Sequence, residues 1–214
     1  HAGTAMRFLT SYYSSIINSS KILTGSERMK QRPISILVDA LNHIGAEIEY
    51  LESEGYPPIK LKGKLITNNV VILPANVSSQ YISSLMMLGV SLEDGLKINL
   101  STKITSLPYI KMTKILIERI GGEVIIKSDK IIIKPFLAHN ISDQTVESDW
   151  SSASYFYSLV ALSDYSEITI STFFKKSIQG DSRIENIYRK FGVETSFRDN
   201  KIHLKKVLLL FYLT

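Results

Sequence analysis

The stretch VSSQYISSLM at residues 77–86 decides the fold, because two other stretches of the chain resemble it. They are TAMRFLTSYY at residues 4–13 and SSASYFYSLV at residues 151–160, so the three begin 73 and 74 residues apart (77 − 4 and 151 − 77). In each of them a short polar segment leads into an apolar helix pattern. Similarity at a fixed spacing indicates repeated structural units. We therefore predict three similar repeats.

A second pattern closes each repeat: an apolar residue, a glycine and the start of a strand. It reads IGAEI at residues 44–48, IGGEV at 120–124 and FGVET at 191–195. Glycine is typical of the left-handed residue that ends a helix. The alternating apolar and polar residues that follow predict a hairpin of two strands, with its turn at Asp199 and Asn200 in the third repeat.

The helix before each glycine has signals of its own. In the first repeat, Pro33 is expected in the first turn of that helix. In the third, Asp181 or Ser182 is the expected N-cap. In the second, residues at helical spacing predict the buried stripe: Met112, Ile115, Leu116 and Ile120.

Each repeat thus reads strand, helix, strand, helix and two strands, which predicts an α/β fold. We place the repeats at residues 1–65, 66–137 and 138–214. Because a single repeat cannot bury the apolar faces of its helices, neighbouring repeats are expected to pack helix against helix. The apolar run at residues 207–213 has no place in this pattern.

Composition narrows the classes of function. The 214 residues include 25 Lys and Arg and 20 Asp and Glu, and this net charge of +5 admits anionic ligands without requiring a nucleic acid. The chain has no cysteine, which excludes disulfides and a cysteine nucleophile and suits a reducing compartment. Its four histidines are isolated, and no familiar metal or nucleotide motif occurs. We expect neither a metal nor a cofactor.

One candidate anion site is the loop that carries Arg28, Lys30 and Arg32 just before Pro33. Guanidinium groups bind phosphate and carboxylate through two oxygens at once, and a helix start adds partial positive charge. The same loop could instead be a solvated basic segment, with Glu27 as an ion-pair partner.

Polar residues at two further predicted helix starts could also hold an anion. Ser78, Ser79 and Gln80 follow an apolar strand, and Ser106 and Tyr109 flank a proline. Free backbone N–H groups at such positions bind phosphate. Helix capping and packing explain the same residues equally well. Before the first helix, Gly3 would allow a ligand to approach the backbone closely.

Together these motifs resemble the 5-enolpyruvylshikimate-3-phosphate synthases, also called 3-phosphoshikimate 1-carboxyvinyltransferases. The resemblance covers the chain in order, up to its last few residues. It implies six repeats in two domains with the active site between them. Residues 1–65 and 66–137 would then be the second and third repeats of one domain, and residues 138–214 the first repeat of the other. About half an enzyme is therefore expected, inactive alone.

The resemblance also implies a reaction and the residues that serve it. The family transfers the enolpyruvyl group of phosphoenolpyruvate to the 5-hydroxyl of shikimate 3-phosphate and releases phosphate, a step of aromatic amino acid synthesis that the herbicide glyphosate blocks. Shikimate 3-phosphate would bind at Ser78, Ser79, Gln80 and Ser106, with Tyr109 a weaker candidate. Phosphoenolpyruvate would bind at Gly3, Arg28 and Gln80. The catalytic acids and bases would lie outside this chain.

As for partners and compartment, the resemblance implies a cytoplasmic enzyme, monomeric at full length, with small-molecule substrates and neither nucleic acid nor membrane partners. Two alternatives stay open. One is the sister enzyme that transfers enolpyruvate to UDP-N-acetylglucosamine, which normally carries a cysteine that this chain lacks. The other is a non-catalytic module that binds anions or nucleic acid, for which steep salt dependence is the expected mark.

Overall fold

The computed structural model describes residues 1–74, 76, 78–137 and 143–207. The chain divides into two compact units, His1–Ile141 and Ser142–Thr214, each with its own apolar core. Among the described residues, no helix combines the length and apolar character needed to cross a membrane. The predicted division of residues 1–137 into two repeats stays a prediction.

The first unit contains five helices and seven strands within its described residues. In chain order they are α1 Gly3–Ser15, β1 Ser20–Leu23, α2 Glu27–Lys30, α3 Ser35–His43, β2 Glu47–Tyr50, β3 Ile59–Lys62, β4 Val70–Leu73, α4 Ser79–Ser91, β5 Leu96–Leu100, α5 Leu107–Arg119, β6 Val124–Ile126 and β7 Lys130–Ile133. One antiparallel sheet has the order β1-β3-β2. The other has the order β4-β5-β7-β6, with β4 and β5 parallel and the remaining pairs antiparallel.

Helix α3 shows how the sequence pattern builds the core. Its residues Leu37, Val38 and Leu41 recur at helical spacing and are fully buried. The helix ends at His43, and two residues later Gly45 has a φ of 109°, which favours glycine. The helix begins at Ser35, two residues later than Pro33, where the sequence predicts its first turn.

Helices α1 and α4 pack side by side through small polar residues. The hydroxyl oxygens of Ser11 and Ser84 lie 2.6 Å apart, and Ser84 also donates to the backbone carbonyl of Arg7 at 2.8 Å. Ser11 and Ser84 are 73 residues apart, which is the same position in the first two predicted repeats. Equivalent faces of the two helices therefore meet.

The second unit has a smaller core. Its described elements are α6 Trp150–Leu162, β8 Glu167–Ser171, a 3₁₀ turn Gly180–Arg183, α7 Ile184–Arg189, β9 Val193–Arg198 and β10 Lys201–Lys206. The three strands form an antiparallel sheet in the order β8-β10-β9. The predicted hairpin turn at Asp199 and Asn200 is confirmed, with φ values of 52° and 55°. Trp150 and Tyr157 lie at the centre of the core.

Three sequence-based expectations need correction. Helix α5 buries Ile110, Thr113 and Ile117, whereas Leu116 of the predicted stripe is 48% exposed. The N-cap of α7 is Arg183, because a 3₁₀ turn occupies the predicted capping residues Asp181 and Ser182. Within the described residues, only 70–133 shows the full predicted order of elements. The end of the apolar run, residues 208–214, lies outside the described residues.

Candidate active site

The candidate residues of the second repeat follow two parallel strands. Strands β4 and β5 end side by side, with Leu73 paired to Leu100. The loops beyond them are joined by Asn76 and Thr102: the Asn76 N–H donates to the Thr102 hydroxyl at 3.0 Å, which donates to the Asn76 side-chain carbonyl at 3.1 Å. Helices α4 and α5 begin just after these loops. Ligands commonly bind at the carboxyl ends of parallel strands, where such helix starts gather.

The start of α4 is only lightly capped. The Ser78 hydroxyl accepts a hydrogen bond from the Gln80 N–H at 3.3 Å, a long capping contact, and Ser78 is exposed. Helix capping therefore explains Ser78, which is one of the two serines of the motif. At the start of α5, Ser106 is the N-cap residue and makes no side-chain capping bond, while Tyr109 lies in the first turn with 49% of its surface exposed. Both helix starts are accessible to a ligand.

The side chain of Gln80 joins the starts of α1 and α4. Its Nε2 donates to the Thr4 hydroxyl at 3.0 Å. Helix α1 begins one residue earlier, at Gly3, and its N-cap Ala2 makes no side-chain capping bond. The two motifs that the sequence assigns to different ligands are thus in direct contact.

Gly3 is packed against the guanidinium of Arg32. A Cβ atom added to Gly3 would lie 2.2 Å from Arg32 Nη1 and 2.7 Å from its Cζ. No side chain fits there unless Arg32 moves. A larger residue would displace that guanidinium, which is the flexible end of an exposed side chain, whereas glycine lets the start of α1 contact it.

The predicted basic loop is partly helical, because Arg28 and Lys30 lie in α2 and only Arg32 follows that helix. Its three cations differ in their partners. Lys30 Nζ lies 3.3 Å from Glu52 and 3.7 Å from Glu27. Its hydrogen bond to Glu52, followed by the charge of Glu27, raises its pKa. Arg28 and Arg32 are exposed, and neither has an ion pair with any described residue. Glu27 thus pairs with Lys30 rather than with Arg28.

Arg7 organises this region, although the sequence motifs assign it no role. Its side chain is 3% exposed and donates to the Gly3 carbonyl at 3.2 Å and the Pro33 carbonyl at 2.8 Å. It also lies 5.8 Å from the ring centre of Tyr81, whose hydroxyl donates to the same Pro33 carbonyl at 2.7 Å. Arg7 is the only charged residue of α1, and an isolated charge one turn before Ser11 is the sequence signal for such a buried cation.

These contacts define what the site brings together. Gly3, Thr4, Gln80 and Arg32 meet around the starts of α1 and α4. Ser78 and Ser79 adjoin them in the chain. Within the described residues, no hydrogen bond or ion pair joins Arg28 or Ser106 to this group. The described residues contain no cluster of three metal-ligating side chains.

In the second unit, α6 begins at the position that α4 holds in its predicted repeat. The start of α6 nevertheless has a different structure from the start of α4. The Asp149 carboxylate accepts from the Ser151 and Ser152 N–H groups at 2.9 and 3.2 Å and from the Ser152 hydroxyl at 2.7 Å. These bonds, with the Ser152 hydroxyl first, lower the pKa of Asp149. Ser151 also donates to Asp181 at 2.9 Å. Carboxylates fill this helix start, so it is unsuited to a phosphate.

Solved structures with a similar fold define the class. The EPSP synthase of Acinetobacter baumannii matches with a TM-score of 0.65 and 19% identity, over 95% of this chain and 46% of that protein. The enolpyruvyl transferase NikO of Streptomyces tendae matches with a TM-score of 0.56 and 13% identity, over 90% of this chain and 44% of that one. The fold is that of the enolpyruvyl transferases, and the predicted fold class is confirmed.

The sequence defines the family within that class. The family model for EPSP synthase (3-phosphoshikimate 1-carboxyvinyltransferase) matches residues 1–209, so the chain belongs to this family. The 3-phosphoshikimate 1-carboxyvinyltransferase of Bacteroides fragilis strain YCH46 is 46% identical over 205 residues, covering 96% of this chain and 50% of the relative. That of Colwellia psychrerythraea is 38% identical over 94% of this chain and 47% of the relative. The chain spans about half the length of the curated relatives it matches.

Proposed function

We propose that this chain supplies part of the active site of an enzyme that transfers the enolpyruvyl group of phosphoenolpyruvate to shikimate 3-phosphate. The observation that carries the proposal is the 3.0 Å contact between Gln80 and Thr4. It brings the Ser78-Ser79-Gln80 segment, assigned to shikimate 3-phosphate, next to Gly3, assigned to phosphoenolpyruvate. A transfer between two substrates needs their sites in contact.

In this proposal, shikimate 3-phosphate binds at the starts of α4 and α5. The hydroxyls of Ser78, Ser79 and Ser106 and the free N–H groups of the first turn of α4 hold its phosphate. Gln80 reaches both substrates through its side-chain amide. Tyr109 lies one turn into α5 and serves as an outer contact.

Phosphoenolpyruvate binds at Gly3, Arg28 and Gln80. In the proposed reaction the 5-hydroxyl of shikimate 3-phosphate loses its proton as its oxygen bonds to C2 of phosphoenolpyruvate, while C3 gains a proton. The adduct then loses phosphate from C2 and a proton from C3, which restores the double bond. Two polyanions must approach each other in this reaction, so fixed cations that offset their repulsion are needed. No group of this chain is assigned as the acid or base.

Ligand binding to the 214-residue chain tests the proposal. We expect shikimate 3-phosphate to bind, as followed by calorimetry or ³¹P NMR, and Gln80→Ala to weaken it by about tenfold, the loss of one or two hydrogen bonds to a charged ligand. Arg28→Ala should weaken phosphoenolpyruvate by about tenfold or more and shikimate 3-phosphate by less than about twofold. Equal losses for the two ligands would contradict the assignment of Arg28.

A coupled phosphate-release assay tests the reaction itself. We expect no turnover from the 214 residues alone with both substrates, because no acid or base is assigned within them. A protein that joins this chain to the remaining half of the fold should release phosphate. If the chain instead binds nucleic acid with a steep salt dependence and does not bind shikimate 3-phosphate, the nucleic-acid-binding module is favoured.

A further inference from the structure

We infer that Arg32 is a second guanidinium that binds phosphoenolpyruvate, beside Arg28. The inference rests on the proposed function and adds a residue to it. Arg32 lies in the basic loop, one residue before Pro33, and its guanidinium faces the start of α1.

The first argument is position. The Arg32 guanidinium lies where a Gly3 side chain would be, 2.2 Å from the Cβ position at its Nη1 and 2.8 Å at its Nη2. Gly3 is also the neighbour of Thr4, which contacts Gln80. A ligand that meets Gly3 and Gln80 therefore also meets Arg32.

The second argument is that buried contacts fix the backbone at Arg32. The next residue, Pro33, has its carbonyl held at 2.8 Å by Arg7 and at 2.7 Å by the Tyr81 hydroxyl. The Arg32 N–H donates to the carbonyl of the buried Met29 at 3.0 Å. An anchored backbone leaves only side-chain freedom to be lost on binding, which favours affinity.

The third argument is charge. Two guanidiniums flank Gly3. That of Arg7 donates to the Gly3 carbonyl at 3.2 Å, and that of Arg32 lies next to the Gly3 α-carbon, on the side where a Cβ would be. Neither has a carboxylate partner among the described residues, whereas Lys30 in the same loop has two. Like charges on both sides of one residue repel each other, and an anion bound beside Arg32 at the start of α1 offsets that repulsion. Phosphoenolpyruvate carries a carboxylate and a phosphate, so Arg28 and Arg32 can each take one.

The test compares Arg32→Gln with the matched control Lys30→Gln, which removes the same charge from the same loop. Phosphoenolpyruvate is titrated into the 214-residue chain and followed by ³¹P NMR, which detects millimolar affinity. We expect Arg32→Gln to weaken phosphoenolpyruvate about tenfold or more and Lys30→Gln less than about twofold. Arg32→Lys should fall between them, because an ammonium cannot form two parallel hydrogen bonds to a carboxylate or phosphate.

Shikimate 3-phosphate is the second probe, and it should bind both glutamine variants within about twofold of the wild type. A ¹H–¹⁵N NMR spectrum of each variant checks that it is folded. Unchanged phosphoenolpyruvate binding in Arg32→Gln, or equal losses for both probes or both variants, would overturn the inference. A wild-type chain that binds shikimate 3-phosphate but does not bind phosphoenolpyruvate would also overturn the inference. Wild-type binding of neither probe would overturn the proposed function instead.

Discussion

Helices α4 and α6 begin at equivalent positions of two predicted repeats, yet the N–H groups of one start are open to a ligand and those of the other are capped. At α4, a serine accepts one long hydrogen bond of 3.3 Å. At α6, the Asp149 carboxylate accepts three, from two N–H groups and a hydroxyl. The capping residue thus decides whether the N–H groups of a helix start serve folding or remain available to an anion.

The largest expected effect comes from closing the start of α4 with Ser78→Asp. Serine and aspartate cap helices equally well, so folding should be unchanged. The new carboxylate would occupy the N–H groups and repel the phosphate, and we expect shikimate 3-phosphate to bind about 100-fold more weakly, as measured by calorimetry. The neutral control Ser78→Asn should weaken shikimate 3-phosphate binding by less than about tenfold. Wild-type affinity in Ser78→Asp would contradict the comparison.

The opposite change, Asp149→Ala, removes the cap of α6. We expect it to lower the free energy of unfolding of the second unit by about 1–2 kcal/mol. Trp150 is the only tryptophan of the chain and is buried in that unit, so urea unfolding followed by its fluorescence reports this unit selectively. Asp149→Asn keeps an acceptor oxygen, so it should lower the free energy of unfolding by less than Asp149→Ala does. An alanine variant as stable as the wild type would show that the three bonds do not stabilise α6.

The smallest expected effect is a pH dependence. The hydrogen bonds from Ser152 and Ser151 lower the pKa of Asp149 in the folded protein. The stability that its charge contributes is therefore complete above the ordinary pKa of 3.8 and is lost as the pH falls through the lower folded value. We expect the stability difference between wild type and Asp149→Asn to shrink below about pH 4, by less than about 1 kcal/mol because solvent screens the group. A difference that stays constant from pH 7 to pH 3 would contradict this.

The sequence predicted the fold class well because helix and strand patterns are set within single segments. The glycines that end helices, such as Gly45, have positive φ as expected. The buried face of α5 was predicted wrongly because a neighbouring helix decides it: Thr113 donates to Ser83 of α4 at 2.8 Å and so turns inward. Local spacing contains no information about such a partner.

The candidate site was predictable only in part, for the same reason. The polar starts of α1 and α4 are visible in the sequence, but the contact between Thr4 and Gln80 spans 76 residues. The role of Arg7 depends on Pro33 and Tyr81, which lie 26 and 74 residues (81 − 7) further along the chain. Among the cations of the basic loop, only the fold distinguishes Lys30, which Glu52 neutralises, from Arg32.

The meeting of Ser11 with Ser84 bears on how the repeats arose. A hydroxyl group is both donor and acceptor, so two copies of one serine can bond to each other without any complementary change. A gene segment that encodes this serine would therefore specify both sides of the contact as soon as it is duplicated. At this position the contact between the first two predicted repeats is formed by the same residue type on both sides, as in the interface of a symmetric homodimer.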